Sequence, residues 1–235
     1  MRTVAFVFVA VGPLMQRRRM SESLLVFLPF LAFPLMVGLA IAWGVKSSRR
    51  AEVLLAEVAR RQGLTLHMPP PVWGIFPSPP TATGSVRGKR VKLHTYSTGS
   101  GKSRTHWAAL DVTPGRCGDF TFRIGGQGFG SRLREIFGAR EIKVGNQSFD
   151  AAFFLETNRP DFFRAALLPE IQERITAAWR QAGRQANIEL RDGRVRYAEV
   201  GHFSKADVVA KFEAVLPLLG DLADVAEVEA GIRAS

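Results

Sequence analysis

A single cysteine, Cys117, stands in a chain of 235 residues. No intramolecular disulfide can form, and a reducing compartment suits such a chain. The sequence also has only four histidines, with no H-E-x-x-H, no paired-cysteine signature and no G-x-S-x-G. That removes the sequence marks of a zinc hydrolase, a structural zinc site and an α/β-hydrolase nucleophile. Cys117 lies in the turn-rich "TPGRCG" with no fixed histidine partner, which argues against a thiol nucleophile. The carboxylates Asp150, Glu156 and Asp161 are scattered and give no acid–base pair. No motif implies a cofactor.

Two glycine-rich stretches miss their motifs. "STGSGKSRT", residues 97–105, contains Gly-Lys-Ser, but a phosphate loop needs its first glycine five residues before Gly101, where Tyr96 stands. The alternating segments on either side predict a β-hairpin tip instead. If the hairpin centres near Ser100, His94 opposes His106 and Tyr96 opposes Arg104. These four residues are the candidate polar sheet-face site, since paired histidines can bind metal or sense pH. A register slip of one residue would separate them, and His67 and His202 lie in unrelated contexts. "GGQGFGS", residues 125–131, has serine where a dinucleotide loop needs its third glycine, and reads as a flexible loop. "SRLREIFG" after it reads as a short helix.

Charge is missing from Leu24 to Val45. A helix of those residues is about 33 Å long, enough for a hydrocarbon core of ~30 Å. Pro29, Pro34 and Gly38 suit a membrane span better than a soluble helix, and Trp43 suits a headgroup layer. Residues 4–15 are apolar but too short to span, and "QRRRM" follows them in place of a cleavage site. Residues 1–19 therefore read as an N-terminal extension or interfacial segment, with Met20 a natural start for a single-span anchor.

What is abundant is basic charge: 32 Lys and Arg against 21 Asp and Glu, a formal +11. Lys46, Arg49, Arg50, Arg60 and Arg61 follow the span and are candidate contacts for anionic lipid. With a Met20 start they place the large domain in the cytoplasm, at the bacterial inner membrane. Nucleic-acid binding fits less well; it would require the basic residues to form one stripe beside an exposed Tyr96 or Trp107.

The organisation that follows is an anchor and juxtamembrane amphipathic helix over residues 20–66, a Pro-rich linker or arm over 67–83, and an α+β domain over 84–235. In the helix, Ala51, Leu54, Leu55, Val58 and Ala59 share one side and Gly63 ends it. "MPPPVWGIFPSPP" excludes helix and central strand, while Trp73, Ile75 and Phe76 predict packing onto the domain. Turns are expected at Arg87–Lys89 and at Asp192-Gly193, the latter a hairpin signal. A short helix or turn over 149–152 should lead into a strand ending at Thr157. Pro160 should sit in the first turn of a helix, and Pro169 should restart it to Ala182. Val208, Phe212, Val215, Leu219, Leu222 and Ala226 form the core stripe of a last helix, with a kink expected at Pro217. The fold class is α+β: an N-terminal transmembrane helix, then an antiparallel sheet covered by helices.

"LLAEVARRQGL", "GSGKSRTH", "VGNQSFDAAFFLET", "ALLPEIQERI" and "IELRDGRVRY" resemble segments of bacterial membrane-anchored proteins of unknown function. The likeness covers roughly residues 24–225. It implies a membrane-associated module and supplies no catalytic residue. The function expected is a membrane-tethered, non-enzymatic binding or scaffold module. Its partners would be the lipid bilayer and a membrane or cytoplasmic protein. The alternative is a membrane-anchored, hydrolase-like enzyme built from the histidines and carboxylates.

Overall fold

The computed structural model describes residues 14–71, 78–127, 140–182 and 186–234. In the first helix side chains are described at 33–39 and from 42 onward, and those of Arg140 and Ala182 are not. The chain divides into two compact units, residues 1–45 and 46–235. Helix α1 (Leu14–Gln62) carries residues of both.

Among the described residues no helix is long and apolar enough to cross a membrane. The single membrane span expected over 24–45 is therefore not shown; its side chains at 24–32, 40 and 41 lie outside the described residues. The expected extension 1–19 lies outside them up to residue 13. Within 33–39, "FPLMVGL", every residue is exposed and none is polar.

In the second unit, Leu55, Val58 and Ala59 of α1 are buried on the side that the periodicity marks. Gly63 adopts φ +66°, and the Leu64 N–H donates to the Ala59 carbonyl at 2.8 Å, the closing bond of a helix C-terminus. The chain then enters β1 (Thr65–His67), which pairs antiparallel with β2 (Thr81–Val86). Residues on both sides of the Pro-rich stretch are thus strand, and the sheet begins before the expected boundary at residue 84. Trp73, Ile75 and Phe76 lie outside the described residues.

Hairpin turns build the rest. Arg87 and Gly88, at φ +53° and +77°, join β2 to β3 (Lys89–Thr98). A short 3-10 turn at Gly101–Ser103 joins β3 to β4 (Thr105–Thr113), so the Gly-Lys-Ser stretch is a hairpin tip. The strand β5 (Phe122–Gly126) includes Gly125 and Gly126, which corrects the flexible loop expected there; residues 128–139, with "SRLREIFG", lie outside the described residues. A Cβ on Gly125 would collide with the Phe154 ring, so only glycine allows that ring to lie over the strand. Next come β6 (Arg140–Ile142), helix α2 (Gln147–Ala152) capped by the Asn146 side chain, and β7 (Phe153–Thr157). Helices α3 (Pro160–Ala166) and α4 (Pro169–Ala182) start at the two expected prolines. The hairpin β8 (Ala186–Arg191) and β9 (Arg194–Val200) turns at Asp192-Gly193, with φ +51° and +73°. Helix α5 (Ala206–Ala234) runs continuously through Pro217.

Among the described residues nine strands form one antiparallel sheet in the order β1-β2-β3-β4-β9-β8-β5-β7-β6. One face is the core: Leu93, Leu110, Tyr197, Ile188 and Ile124 are fully or almost fully buried beneath Leu55, Phe212, Leu219 and Ile175 of the helices. Burial of each such side chain contributes about 1.5–3 kcal/mol. Acidic groups along α5 tie it in place. Glu213 pairs with Arg61 at 2.9 Å, Asp224 with Lys89 at 2.8 Å and Glu229 with Arg159 at 3.2 Å. Asp221 meets both Arg87 and Arg174.

Candidate functional site

Side chains alternate along a strand, so the residues that do not enter the helix-covered core share the other face. Directly opposed partners trace one transverse row across all nine strands. It runs Thr65, Thr83, Lys92, Asp111, Arg196, Glu189, Arg123, Glu156 and Glu141. From Lys92 to Glu156 the sign of charge reverses at every strand. Opposite charges at cross-strand positions attract at short range, so this belt reinforces the register. Asp111, Arg123 and Glu156 are 4–6% exposed, Arg196 and Glu189 are half-buried, and Lys92 and Glu141 reach solvent.

Asp111 anchors the belt. Arg196 donates to its Oδ1 from Nε at 2.7 Å and to its Oδ2 from a terminal nitrogen at 3.0 Å, and His94 Nε2 lies 3.1 Å from the same Oδ2. Burial pushes the carboxyl up, but the hydrogen bonds and charges of Arg196 and His94 prevail and hold it well below its usual range. The Arg196 guanidinium lies 5.1 Å from the centre of the Tyr96 ring, which stacks on Trp107 at 6.2 Å. Burial, with the nearby carboxylates Glu189 and Asp111, raises the Tyr96 phenol, which stays protonated.

The four candidates of the sheet-face site do not come together. His94 lies opposite Ala109, and His106 opposite Ser97, so the hairpin register differs from one centred at Ser100 by three residues along β4. An odd shift turns a side chain to the other face. His94 and Tyr96 belong to the charged face. His106 bonds Ser97 at 2.9 Å and packs on His202 at 4.8 Å, so His202 is not in an unrelated context. Arg104 is exposed beside the tip, where its N–H donates to Gly101. Tyr96 opposes Trp107 and not Arg104. Cys117 is half-buried, burial raises its pKa, and it remains a thiol.

On a 3.6-residue repeat Lys46, Arg49, Arg50, Arg60 and Arg61 fall within an arc of about 120°, so the basic candidates of α1 share one helix side. Lys46, Arg49 and Arg50 are exposed; Arg60 bonds Glu57 at 2.9 Å, and Arg61 bonds Glu213.

Beside the belt runs a second row that the sequence reading missed: Ser85, Arg90 and Thr113 in direct opposition, then Arg194 opposite Arg191. Its residues stand two positions from those of the belt along each strand and so share its face. A cleft of about 130 Å³ opens there between Glu189, Arg191, Asp192, Arg194 and Arg196. The repeated arginines of "RDGRVR" were visible in the sequence, but their neighbour Arg90 is brought in by pairing of β9 with β4, which no local pattern announces.

No protein-family model matches the chain, and no curated protein does. Among solved structures it is similar to the mycobacterial trehalose monomycolate transport factor A, TtfA, at a TM-score of 0.50 and 11% identity. The likeness covers 76% of this chain and 93% of that one, and it shows the fold alone.

Proposed function

We propose that the chain is a membrane-tethered, non-enzymatic binding module in which α1 is a single-span anchor and the sheet domain engages a lipid or a membrane-associated protein. The observation that carries this reading is the exposed apolar run Phe33–Leu39, with Trp43 77% exposed, followed in sequence by Lys46, Arg49 and Arg50 on one helix side. Seven successive apolar residues without a polar side fit lipid better than water, and the basic residues after them fit anionic headgroups. The same basic residues support a cytoplasmic position for the domain at the inner membrane. The name of the fold neighbour, a trehalose monomycolate transport factor, supports a transport-associated role for such a module.

Alkaline carbonate extraction of membranes that contain the full chain tests the anchor. Retention in the pellet is expected, and complete release into the supernatant overturns the anchor. A reporter fused after Ser235 tests orientation; activity confined to the periplasm would place the domain on the other side.

A further inference from the structure

We infer that the cleft between α2 and α4 is a binding site for a carbohydrate of one or two rings. The cleft holds about 500 Å³ and opens to solvent between Asn146 and Ser148 on one wall and Thr176 and Arg180 on the other. Small-ligand sites span roughly 300–1,000 Å³. Its two walls are clasped together. The Asn146 amide donates to the Gln172 side-chain oxygen at 2.9 Å, and the Gln172 amide donates to the Leu167 carbonyl at 2.7 Å. Gln172 is 7% exposed, so the clasp is set before a ligand arrives.

The hydrogen-bonding capacity left in the walls decides the ligand class. Ser148 donates its proton to the Asn146 side-chain oxygen at 2.8 Å, and Thr176 donates its proton to the Gln172 carbonyl at 2.8 Å. Both hydroxyl oxygens keep acceptor capacity, and Glu173 adds a carboxylate acceptor. Arg180 and the second N–H of the Asn146 amide are donors. Glu173, Thr176 and Arg180 stand at i, i+3 and i+7 on one side of α4, which spaces the acceptor and donor ends about 10.5 Å apart along the helix. Both end residues are exposed, and among the described residues neither forms an ion pair. An anion meets Glu173 and has no proton for the acceptors; a cation meets Arg180 and has no lone pair for the donors. A hydroxyl group is donor and acceptor at once, and neighbouring hydroxyls on a sugar ring serve both kinds of wall group.

The floor agrees with that choice. Phe149 and Ala152 give the cleft an apolar strip, and Phe149 is held against the Phe153 ring at 4.6 Å. The C–H face of a pyranose packs on such a strip while its rim of hydroxyls reaches the polar walls. The two charged ends of a short peptide would gain little from Glu173 and Arg180, because exposed ion pairs contribute only about 0–1 kcal/mol. The carbohydrate is either a free sugar or the sugar headgroup of a glycolipid. The site narrows what the domain binds in the reading above, and it belongs to the sheet domain, so it stands or falls separately from the anchor.

The test uses the full chain in polyoxyethylene micelles, which carry no sugar. It is titrated calorimetrically with glucose, galactose and maltose and, in parallel, with glucosyl diacylglycerol doped into the micelles. Plain diacylglycerol and Gly-Gly-Gly are the controls. Saturable binding of at least one sugar probe is expected, with affinity lowered tenfold or more by E173Q/R180Q and abolished by A152F, which fills the cleft from α2. Binding of a free sugar identifies a soluble carbohydrate; binding of glucosyl but not plain diacylglycerol, without a free sugar, identifies a glycolipid headgroup. The melting temperature of E173Q/R180Q should match that of the unaltered chain, because both side chains are exposed. T176V, which removes one acceptor, serves as the further variant and should lower affinity several-fold. Substituting Lys46, Arg49 and Arg50 by Gln should leave sugar binding unchanged, and E173Q/R180Q should leave carbonate retention unchanged, which separates this site from the anchor. Absence of saturable binding to every sugar probe overturns the inference, as does lipid binding that plain diacylglycerol reproduces when no free sugar binds. So does unchanged affinity in E173Q/R180Q and A152F, or tighter binding of Gly-Gly-Gly than of any sugar probe.

Discussion

His94 meets Asp111, not His106: its Nε2 stands 3.1 Å from the buried carboxylate that Arg196 holds in a two-point grip. The relationship turns a candidate histidine pair into one end of an electrostatic brace. Asp111→Ala would leave Arg196, whose side chain is 19% exposed, beside a missing anion. A loss of about 3 kcal/mol in unfolding free energy is expected, measured by urea denaturation. Asp111→Asn should lose less, because its amide oxygen still accepts from Arg196.

The same carboxyl gives an acid limb to stability. Its folded pKa is depressed below 3.8, so the unfolded chain takes up the proton first as pH falls. The stabilisation is present above pH 3.8 and is lost as pH drops toward the lower folded value. Urea midpoints between pH 5 and pH 2 should decline more steeply for the unaltered chain than for Asp111→Asn. Parallel declines would show that Asp111 is not the group responsible.

Sequence pattern was a good guide wherever the fold is local. Arg87-Gly88 and Asp192-Gly193 turn where φ must be positive, Pro160 and Pro169 open helices, and the six stripe residues of α5 are buried. Pattern failed where distant strands meet. Nothing in "THWAALDV" announces β9 as its neighbour, yet that pairing brings Arg196 to Asp111 and Gly201 to His106. The tip hid the register for a different reason. Its 3-10 turn sits between Thr98 and Thr105 and displaces the pairing by three residues, enough to send His106 to the opposite face from His94. Gly125 and Gly126 misled because composition alone reads as a loop, whereas the Phe154 ring needs a bare strand beneath it.

Glycine at the tip is structural. Gly99 has φ +76°, and a Cβ there would come within 2.5 Å of the Ser103 carbonyl oxygen; Gly101 has φ +55° with open space around it. Gly99→Ala should cost about 2–3 kcal/mol and Gly101→Ala about 1 kcal/mol, compared by thermal melts. Lys102→Ala should leave the melting temperature unchanged, since Lys102 is exposed. Equal penalties at Gly99 and Gly101 would contradict the steric argument.

Gly125 and Phe154 are coupled by the same reasoning on the charged face. Gly125→Ala forces the ring off the strand and should cost about 1–3 kcal/mol. In Phe154→Ala the obstructing ring is gone, so adding Gly125→Ala should cost little or nothing. A double-mutant cycle by urea denaturation should give a coupling of at least 1 kcal/mol. Simple additivity would mean that the contact does not restrain this position.

His202 supplies a second, milder pH response. Partial burial, then the neighbouring His106 and Lys205, hold its folded pKa below 6.5. The group of the opposite ring edge, His106, is itself bonded to Ser97. Protonation is therefore easier in the unfolded chain. The contribution is intact above pH 6.5 and fades as pH falls from there through the lower folded value. Because His202 is exposed at its rim, the change should be only about 1–3 °C in melting temperature. His202→Asn should flatten the melting curve between pH 7.5 and pH 5. A drop of equal size in that variant would assign the response to another group, and His106→Asn would then be the next substitution to measure.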